Sequence, residues 1–173
     1  MMYYSQRNPV WGNLELDGSG LKMKDFGCYL TALACYDGRS PDCILKLLND
    51  HNCITSEGLL KNEQAALTLG YTYYKVDKNP QKICIARIDY SPAPGIQTHF
   101  VVWLNDKDGN IIDVWDGLTK KNHWSVCSYR VFEPIYPARP PEIEARATIT
   151  MSKKPGFIDN MIGAIKSGGV KTA

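Results

Sequence analysis

Three residues of the types that build a thiol nucleophile occur in the order Cys28, His99 and Asp113. Cys28 follows Gly27 and begins an apolar pattern with helical spacing, so its thiol is expected in the first turn of a helix. The positive end of a helix stabilises a thiolate, and a preceding glycine lets a substrate backbone approach closely. Cys28 is therefore a candidate nucleophile. The alternative is a small apolar residue of a core helix, because free cysteines are often buried.

His99 is the candidate base for this thiol. It begins the strand-like run His99-Phe100-Val101-Val102-Trp103, directly after a loop that contains proline and glycine. Asp113 lies on the expected return strand of the same hairpin, where its carboxylate can reach one nitrogen of the imidazole. A Cys–His–carboxylate series supplies a nucleophile, a base and a group that fixes the tautomer. The alternative for His99 is a hydrogen-bonded histidine at a sheet edge.

The elements that must position these residues are helices in the first half of the chain and strands in the second. Apolar spacing and the stop signals Gly38 and Gly70 predict helices over 28–36, 41–49 and 59–69. Runs of β-branched and aromatic residues predict strands over 71–76, 83–88, 99–104, 110–115 and 126–132. Helices followed by strands are typical of the α+β class with a mainly antiparallel sheet.

The composition narrows the classes of partner. The chain has 173 residues, of which 44% are hydrophobic, and a net charge of +2, which gives no reason to expect nucleic acid or a membrane surface as partner. No apolar run is long enough for a membrane span, and the N-terminus lacks the apolar region of a signal peptide. A cytoplasmic protein whose six cysteines are reduced is expected.

The cluster of metal-ligating residue types at Cys43, His51 and Cys53 has the wrong spacing for a structural zinc site. Cys43 falls on an apolar helical face, so packing is the expected role of this cluster. Neither His51 nor His123 lies where Cys28 needs a base. No metal and no other cofactor is expected.

Prolines at 134, 137, 140 and 141 divide the chain into two parts. A catalytic domain is expected over 1–136, followed over 137–173 by a proline-rich linker and a C-terminal docking arm. The arm carries one short apolar helical face that needs a partner surface: Phe157, Ile158, Met161, Ile162 and Ile165. That surface can belong to a partner protein, to a further domain or to the rest of this chain, and a disordered tail is the alternative.

Four segments between residues 4 and 117 carry a family resemblance. They are Tyr4-Ser5-Gln6-Arg7-Asn8-Pro9-Val10-Trp11-Gly12, Gly27-Cys28-Tyr29-Leu30-Thr31-Ala32-Leu33-Ala34, His99-Phe100-Val101-Val102 and Ile112-Asp113-Val114-Trp115-Asp116-Gly117. In this order they resemble the opening, the nucleophile helix, the histidine strand and the Asp-Pro-Trp-x-Gly element of the papain-like cysteine peptidase superfamily, in its bacteriocin-processing-peptidase-like branch.

The resemblance implies a papain-like fold and a role for each site residue. Cys28 would be the nucleophile, His99 the general base and Asp113 its orienting carboxylate. The Gln6 side chain would join the Cys28 backbone N–H in an oxyanion hole. Val114 stands where the family has proline, which leaves Asp116 as a second candidate carboxylate.

Members of this branch cleave peptides or peptidoglycan cross-links. The resemblance therefore implies a thiol hydrolase of peptide or amide bonds with a peptide or peptidoglycan substrate, associated with the virion if a phage encodes it. The alternative is a catalytically idle structural or binding protein, for example of a phage particle, that keeps the papain-like fold. The reactivity of Cys28 separates the two, because an enzyme needs one cysteine that is far more reactive than the others.

Overall fold

A computed structural model describes residues 1–89 and 98–135 of the chain. This part contains four helices followed by six strands: α1 Met23–Phe26, α2 Cys28–Asp37, α3 Pro41–Asp50, α4 Asn62–Leu69, β1 Tyr71–Val76, β2 Cys84–Asp89, β3 Thr98–Trp103, β4 Asn110–Asp113, β5 Leu118–Lys121 and β6 Val126–Pro134. All strand pairs are antiparallel. The chain is therefore α+β, as its order of elements predicts.

The strands form one sheet with the order β1-β6-β2-β3-β4-β5. Within it, β3, β4 and β5 are neighbours both in sequence and in space, so they form a meander that ends at the edge strand β5. Val102 of β3 is opposite Ile112 of β4, and Ile111 of β4 is opposite Lys120 of β5. This register places the end of β4 between the beginnings of β3 and β5.

The helix α2 packs against β3 and β2 and forms the centre of the larger core. Leu30 and Leu33 of this helix are buried together with Val102 and Ile112 of the sheet. Interiors of this kind are close-packed, and truncation of one buried leucine to alanine costs about 2–5 kcal/mol. The packing therefore fixes α2, and with it Cys28, against the strand that carries His99.

A close approach of backbone explains the glycine before Cys28. A Cβ atom on Gly27 would lie 2.5 Å from the carbonyl oxygen and 2.7 Å from the sulfur of Met23. Met23 is fully buried at the start of α1, so it has little room to move. Gly27 thus joins α1 to α2 in a space that a larger residue does not fit without displacement of the Met23 backbone.

Several elements differ from the sequence prediction in their bounds or were not predicted. The third predicted helix begins at Asn62 and not at residue 59, because Ile54 and Leu60 close a loop through an isolated β-bridge. The strand β4 ends at Asp113, where the Gly117 N–H donates to the Asp113 carbonyl at 2.8 Å and closes a turn. Two short elements, the helix α1 and the edge strand β5, were not predicted.

Further predictions concern the packing of Cys43, a membrane span and two segments that lie outside the described residues. Cys43 is exposed on α3, so the prediction that it packs in the core is wrong. Across residues 1–89 and 98–135, no helix has both the length and the apolar character needed to cross a bilayer. The predicted loop over 91–95 and the predicted arm over 137–173 lie outside the described residues, and the arm and its partner stay predictions.

Candidate active site

The imidazole of His99 and the carboxylate of Asp113 form a buried pair. His99 Nε2 lies 3.0 Å from Asp113 Oδ1, and the two side chains are 5% and 0% exposed. The register explains the contact. Asp113 follows Ile112 on β4, so it lies opposite Val101, and His99 is its diagonal neighbour on the same face of the sheet.

Cys28 meets the same imidazole from α2. Its side chain is a hydrogen-bond partner of His99, while Asp113 holds the Nε2 side of the ring. Cys28 is half-buried and is the first residue of α2, so its backbone N–H has no acceptor within that helix. The structure thus brings together the three residues that the sequence selects as nucleophile, base and carboxylate.

The charges of this group favour an imidazolium next to a carboxylate. Burial disfavours the charged ring, but hydrogen bonds with Asp113 and Cys28 outweigh burial and raise the pKa of His99 to about 9. Burial also works against a charged Asp113, yet hydrogen bonds from His99, Lys120 and the Trp115 N–H lower the pKa of its carboxyl to about 2. At neutral pH, His99 is therefore protonated and places a positive charge beside Cys28.

The second candidate carboxylate, Asp116, has other partners. Its Oδ1 accepts the Leu118 N–H at 3.0 Å and its Oδ2 accepts Lys120 Nζ at 2.6 Å. Asp116 follows the end of β4, in the turn that Gly117 closes. The geometry thus selects Asp113 rather than Asp116 as the carboxylate beside His99.

Gln6 is completely buried and lies between α1 and the end of β4. Its Nε2 donates to the Lys24 carbonyl at 2.9 Å, and its backbone N–H donates to the Val114 carbonyl at 2.7 Å. Its Oε1 has no hydrogen-bond partner among the described groups. A buried amide oxygen without a hydrogen-bond partner costs free energy. Nε2 carries two hydrogens, and the Lys24 carbonyl accepts one of them.

The N-terminal segment around Gln6 is tied to the turn after Asp113. Ser5 Oγ donates to the Trp115 carbonyl at 2.8 Å, and the Arg7 guanidinium lies 3.8 Å from the centroid of the Trp115 ring. Trp11 is buried, and its indole N–H donates to the Ser5 carbonyl at 2.8 Å. These contacts explain why residues far upstream of Cys28 belong to the same site.

Two site residues escaped the sequence prediction. The ring of Trp115 meets His99 edge-on, with centroids 6.4 Å apart, and covers one side of the imidazole. Lys120 Nζ donates to Asp113 Oδ2 at 2.9 Å. Prediction of β5 would have revealed Lys120, because it is the diagonal neighbour of Asp113 across that strand pair.

Cys28 forms part of the wall of an apolar pocket. Its volume is about 120 Å³, and its walls come from the helix start, from the loop before α4 and from β3: Leu16, Phe26, Gly27, Cys28, Tyr29, Leu30, Ile54, Gly58, Leu59, Leu60 and Phe100. Phe100 stacks on Tyr29 with ring centroids 4.3 Å apart, which gives the pocket a fixed aromatic wall. Phe26 and Leu59 are 58% and 65% exposed. Large apolar side chains at a rim favour an apolar ligand.

The other cysteines lie in different environments. Burial raises the pKa of Cys35 to about 11 and that of Cys84 to about 12. Cys43 and Cys127 are exposed, and Cys53 is buried. Within the described ranges, no group of three or more His, Cys, Asp or Glu residues could hold a metal ion.

The raised pKa of His99 predicts a loss of stability with rising pH. The ring binds its proton more tightly in the folded chain, about 9 against 6.5, so its contribution is complete below pH 6.5 and is lost as pH rises through 9. Cys28→Ala removes the thiol, whose own ionisation would otherwise enter the proton balance. Urea denaturation of Cys28→Ala between pH 6 and 9 should show a larger fall in the free energy of unfolding than that of Cys28→Ala/His99→Gln. Both proteins share the decline caused by Cys35 and Cys84. Parallel curves would contradict the assignment of the proton to His99.

The comparisons with known proteins found no match for this chain. No family model matches the chain, and the searches of curated proteins and of solved structures gave no match either. What the site can do chemically is therefore inferred from the contacts of Cys28, His99, Asp113 and Gln6.

Proposed function

We propose that this protein is a papain-like thiol hydrolase that cleaves peptide or amide bonds. The observation that carries the proposal is the continuous series from Cys28, at the start of α2, through the His99 imidazole to the Asp113 carboxylate. Such a series supplies a nucleophile, its base and the group that orients the base. A central helix that begins with the cysteine and packs on an antiparallel sheet carrying the histidine supports the family resemblance.

The first half of the reaction forms a thioester. The Cys28 thiolate attacks the carbonyl carbon of the substrate, and a C–S bond forms while the carbonyl oxygen takes up the negative charge. The backbone N–H of Cys28 and the second N–H of the Gln6 amide are the proposed donors to this oxyanion. His99 gives its proton to the leaving nitrogen as the C–N bond breaks.

The second half of the reaction restores the enzyme. Neutral His99 takes a proton from water, and the oxygen of that water attacks the thioester carbon. The same two N–H donors hold the second oxyanion, the C–S bond breaks, and the carboxylic acid leaves. Asp113 keeps the imidazole in one orientation in both halves because it holds the Nε2 side of the ring.

The pocket beside Cys28 favours a substrate with a large apolar side chain next to the scissile bond. Its volume of about 120 Å³ is close to that of an apolar cavity of roughly 150 Å³ that holds benzene, so a branched aliphatic or a single-ring side chain would fill it. The small and charged side chains of a peptidoglycan cross-link would leave it empty or bury a charge. Between the two expected substrates, the pocket thus favours an apolar peptide.

Selective alkylation is the direct test of the nucleophile. With iodoacetamide at pH 6, we expect Cys28 to react first, although Cys43 and Cys127 are more exposed, because His99 stabilises the Cys28 thiolate. Intact-mass analysis and peptide mapping measure the site of labelling. His99→Gln should abolish the preference for Cys28.

Cys43 and Cys127 are internal controls in that experiment because they report ordinary exposed thiols. If they react as fast as Cys28 at pH 6, the hydrolase proposal fails and the idle structural protein that keeps the fold is the better interpretation. If Cys28 alone reacts, the enzyme proposal is supported.

A matched pair of carboxylate variants tests the role of Asp113. Asp113→Ala should lower the rate of peptide cleavage by about 100-fold or more, because the base loses its orienting partner, whereas Asp116→Ala should retain most of the activity. Cleavage of a peptide mixture followed by mass spectrometry measures both, with Cys28→Ala as the blank. Equal losses in two folded variants would contradict the assignment.

A second matched pair tests the pocket. Leu59 lines it and Leu67 does not, although the two are similarly exposed at 65% and 63%. Leu59→Asp should reduce cleavage at large apolar residues by about 10–100-fold and leave cleavage at alanine nearly unchanged, because a charge at the rim disfavours an apolar side chain. Leu67→Asp should have the wild-type cleavage profile. If both variants give one profile, the pocket does not select the substrate.

A further inference from the structure

The carboxylate of Asp113 is shared between two cations that approach it from opposite strands. Oδ1 faces His99 Nε2 at 3.0 Å and also accepts the Trp115 N–H at 3.0 Å, while Oδ2 accepts Lys120 Nζ at 2.9 Å. Asp113 itself is completely buried. One buried negative charge therefore stabilises both an imidazolium and an ammonium. Each cation neutralises part of that charge, so the carboxylate attracts the other cation less strongly.

The sheet register fixes the ammonium in this place. Lys120 lies opposite Ile111, and Asp113 is two residues further along β4 on the same face. A long side chain can span this diagonal distance between neighbouring strands. Asp116 holds the same ammonium at 2.6 Å from the turn. Lys120 is thus held between two carboxylates and is about one third exposed.

Among the residues that the structure describes, other ionisable groups near the imidazole come from different elements. Cys28 faces His99 from α2, and Arg7 of the N-terminal segment lies on the Trp115 ring. Neither group contacts Asp113 Oδ2, whose partner is Lys120. The state of that oxygen therefore depends on β5 and on the turn, which carry the Lys120–Asp116 pair.

We propose that Lys120 is a positioning residue that acts on His99 through the Asp113 carboxylate. Its ammonium holds the outer oxygen of the carboxylate, keeps the inner oxygen turned toward the imidazole, and limits the negative charge that the imidazole experiences. Asp116 in turn weakens the effect of Lys120 on Asp113, because its carboxylate neutralises part of the ammonium charge. The inference rests on the proposed hydrolase function, because it concerns the pH range in which the Cys28–His99 pair is reactive.

The proposal predicts opposite effects for the two partners of the ion pair. Lys120→Met removes a positive charge near the imidazole, so His99 should keep its proton to a higher pH and the whole pH–activity profile should move upward. Asp116→Asn leaves Lys120 free to act on Asp113 with its full charge, so the profile should move to lower pH. Lys120→Arg keeps the charge and should stay close to the wild type.

NMR titration of the histidine rings in the full-length protein is the test. His99 is buried whereas His51 and His123 are exposed, so the latter two are internal references, and His99→Gln assigns the resonance. Lys120→Met should raise the measured pKa of His99 by about 0.5–1 unit, the size expected for one charge at roughly 6 Å in a polar surrounding. A loss of structure alone would change the Tm but would not move the His99 titration in opposite directions in the two variants.

An unchanged His99 titration in Lys120→Met and Asp116→Asn, or a shift of the same sign in both, overturns the proposal. If Lys120→Met does not fold, the direction of the Asp116→Asn shift decides. The titration needs no substrate, so its result is independent of the alkylation test. A chain in which His99 responds as expected but Cys28 is unreactive would lose the hydrolase proposal alone.

Discussion

A carboxylate that is buried away from water is stable only where hydrogen-bond donors replace its hydration. Asp113 is completely buried and has such donors. Its donors come from three places: His99 on β3, Lys120 on β5 and the backbone of Trp115 in the following turn. Loss of one partner of a buried ion pair costs about 3–5 kcal/mol, because the remaining charge is uncompensated. The positions of two strands and a turn therefore depend on one side chain.

The N-terminal segment and α2 are the other two supports of the site. Gln6 connects the N-terminal segment to α1 and to the turn after β4, since its side chain donates to the Lys24 carbonyl and its backbone donates to the Val114 carbonyl. The core packing of Leu30 and Leu33 holds α2 against the sheet. A shift of α2 would thus disturb the core and the candidate oxyanion donors together. The contacts that stabilise the fold therefore also fix the geometry of the site.

The sequence predicts the parts of this arrangement that have strong local signals. The hairpin that places Asp113 beside His99 follows from two β-rich runs and a turn, and the start of α2 follows from the apolar spacing after Cys28. The strand β5 has no such signal, because Leu118–Lys121 is short, mostly polar and exposed at the sheet edge. Lys120 was missed for that reason.

The predicted start of the third helix was wrong for a related reason. Leu59 and Leu60 fit a helical apolar pattern, but they line a pocket, and Leu59 is 65% exposed. Periodicity reports which residues are apolar and cannot separate a core position from the rim of a binding site. The same limit applied to Cys43, which fits an apolar helical face and yet is exposed.

The six cysteines show how one residue type acquires different chemistry. Burial keeps Cys35 and Cys84 protonated, because a charged sulfur has no water and no sufficient counter-charge there. Cys43 and Cys127 are exposed and therefore accessible to reagents. Cys28 is half-buried and has an imidazolium beside it. The neighbouring cation, and not accessibility, is what distinguishes the candidate nucleophile, and that cation exists because Asp113 is ionised.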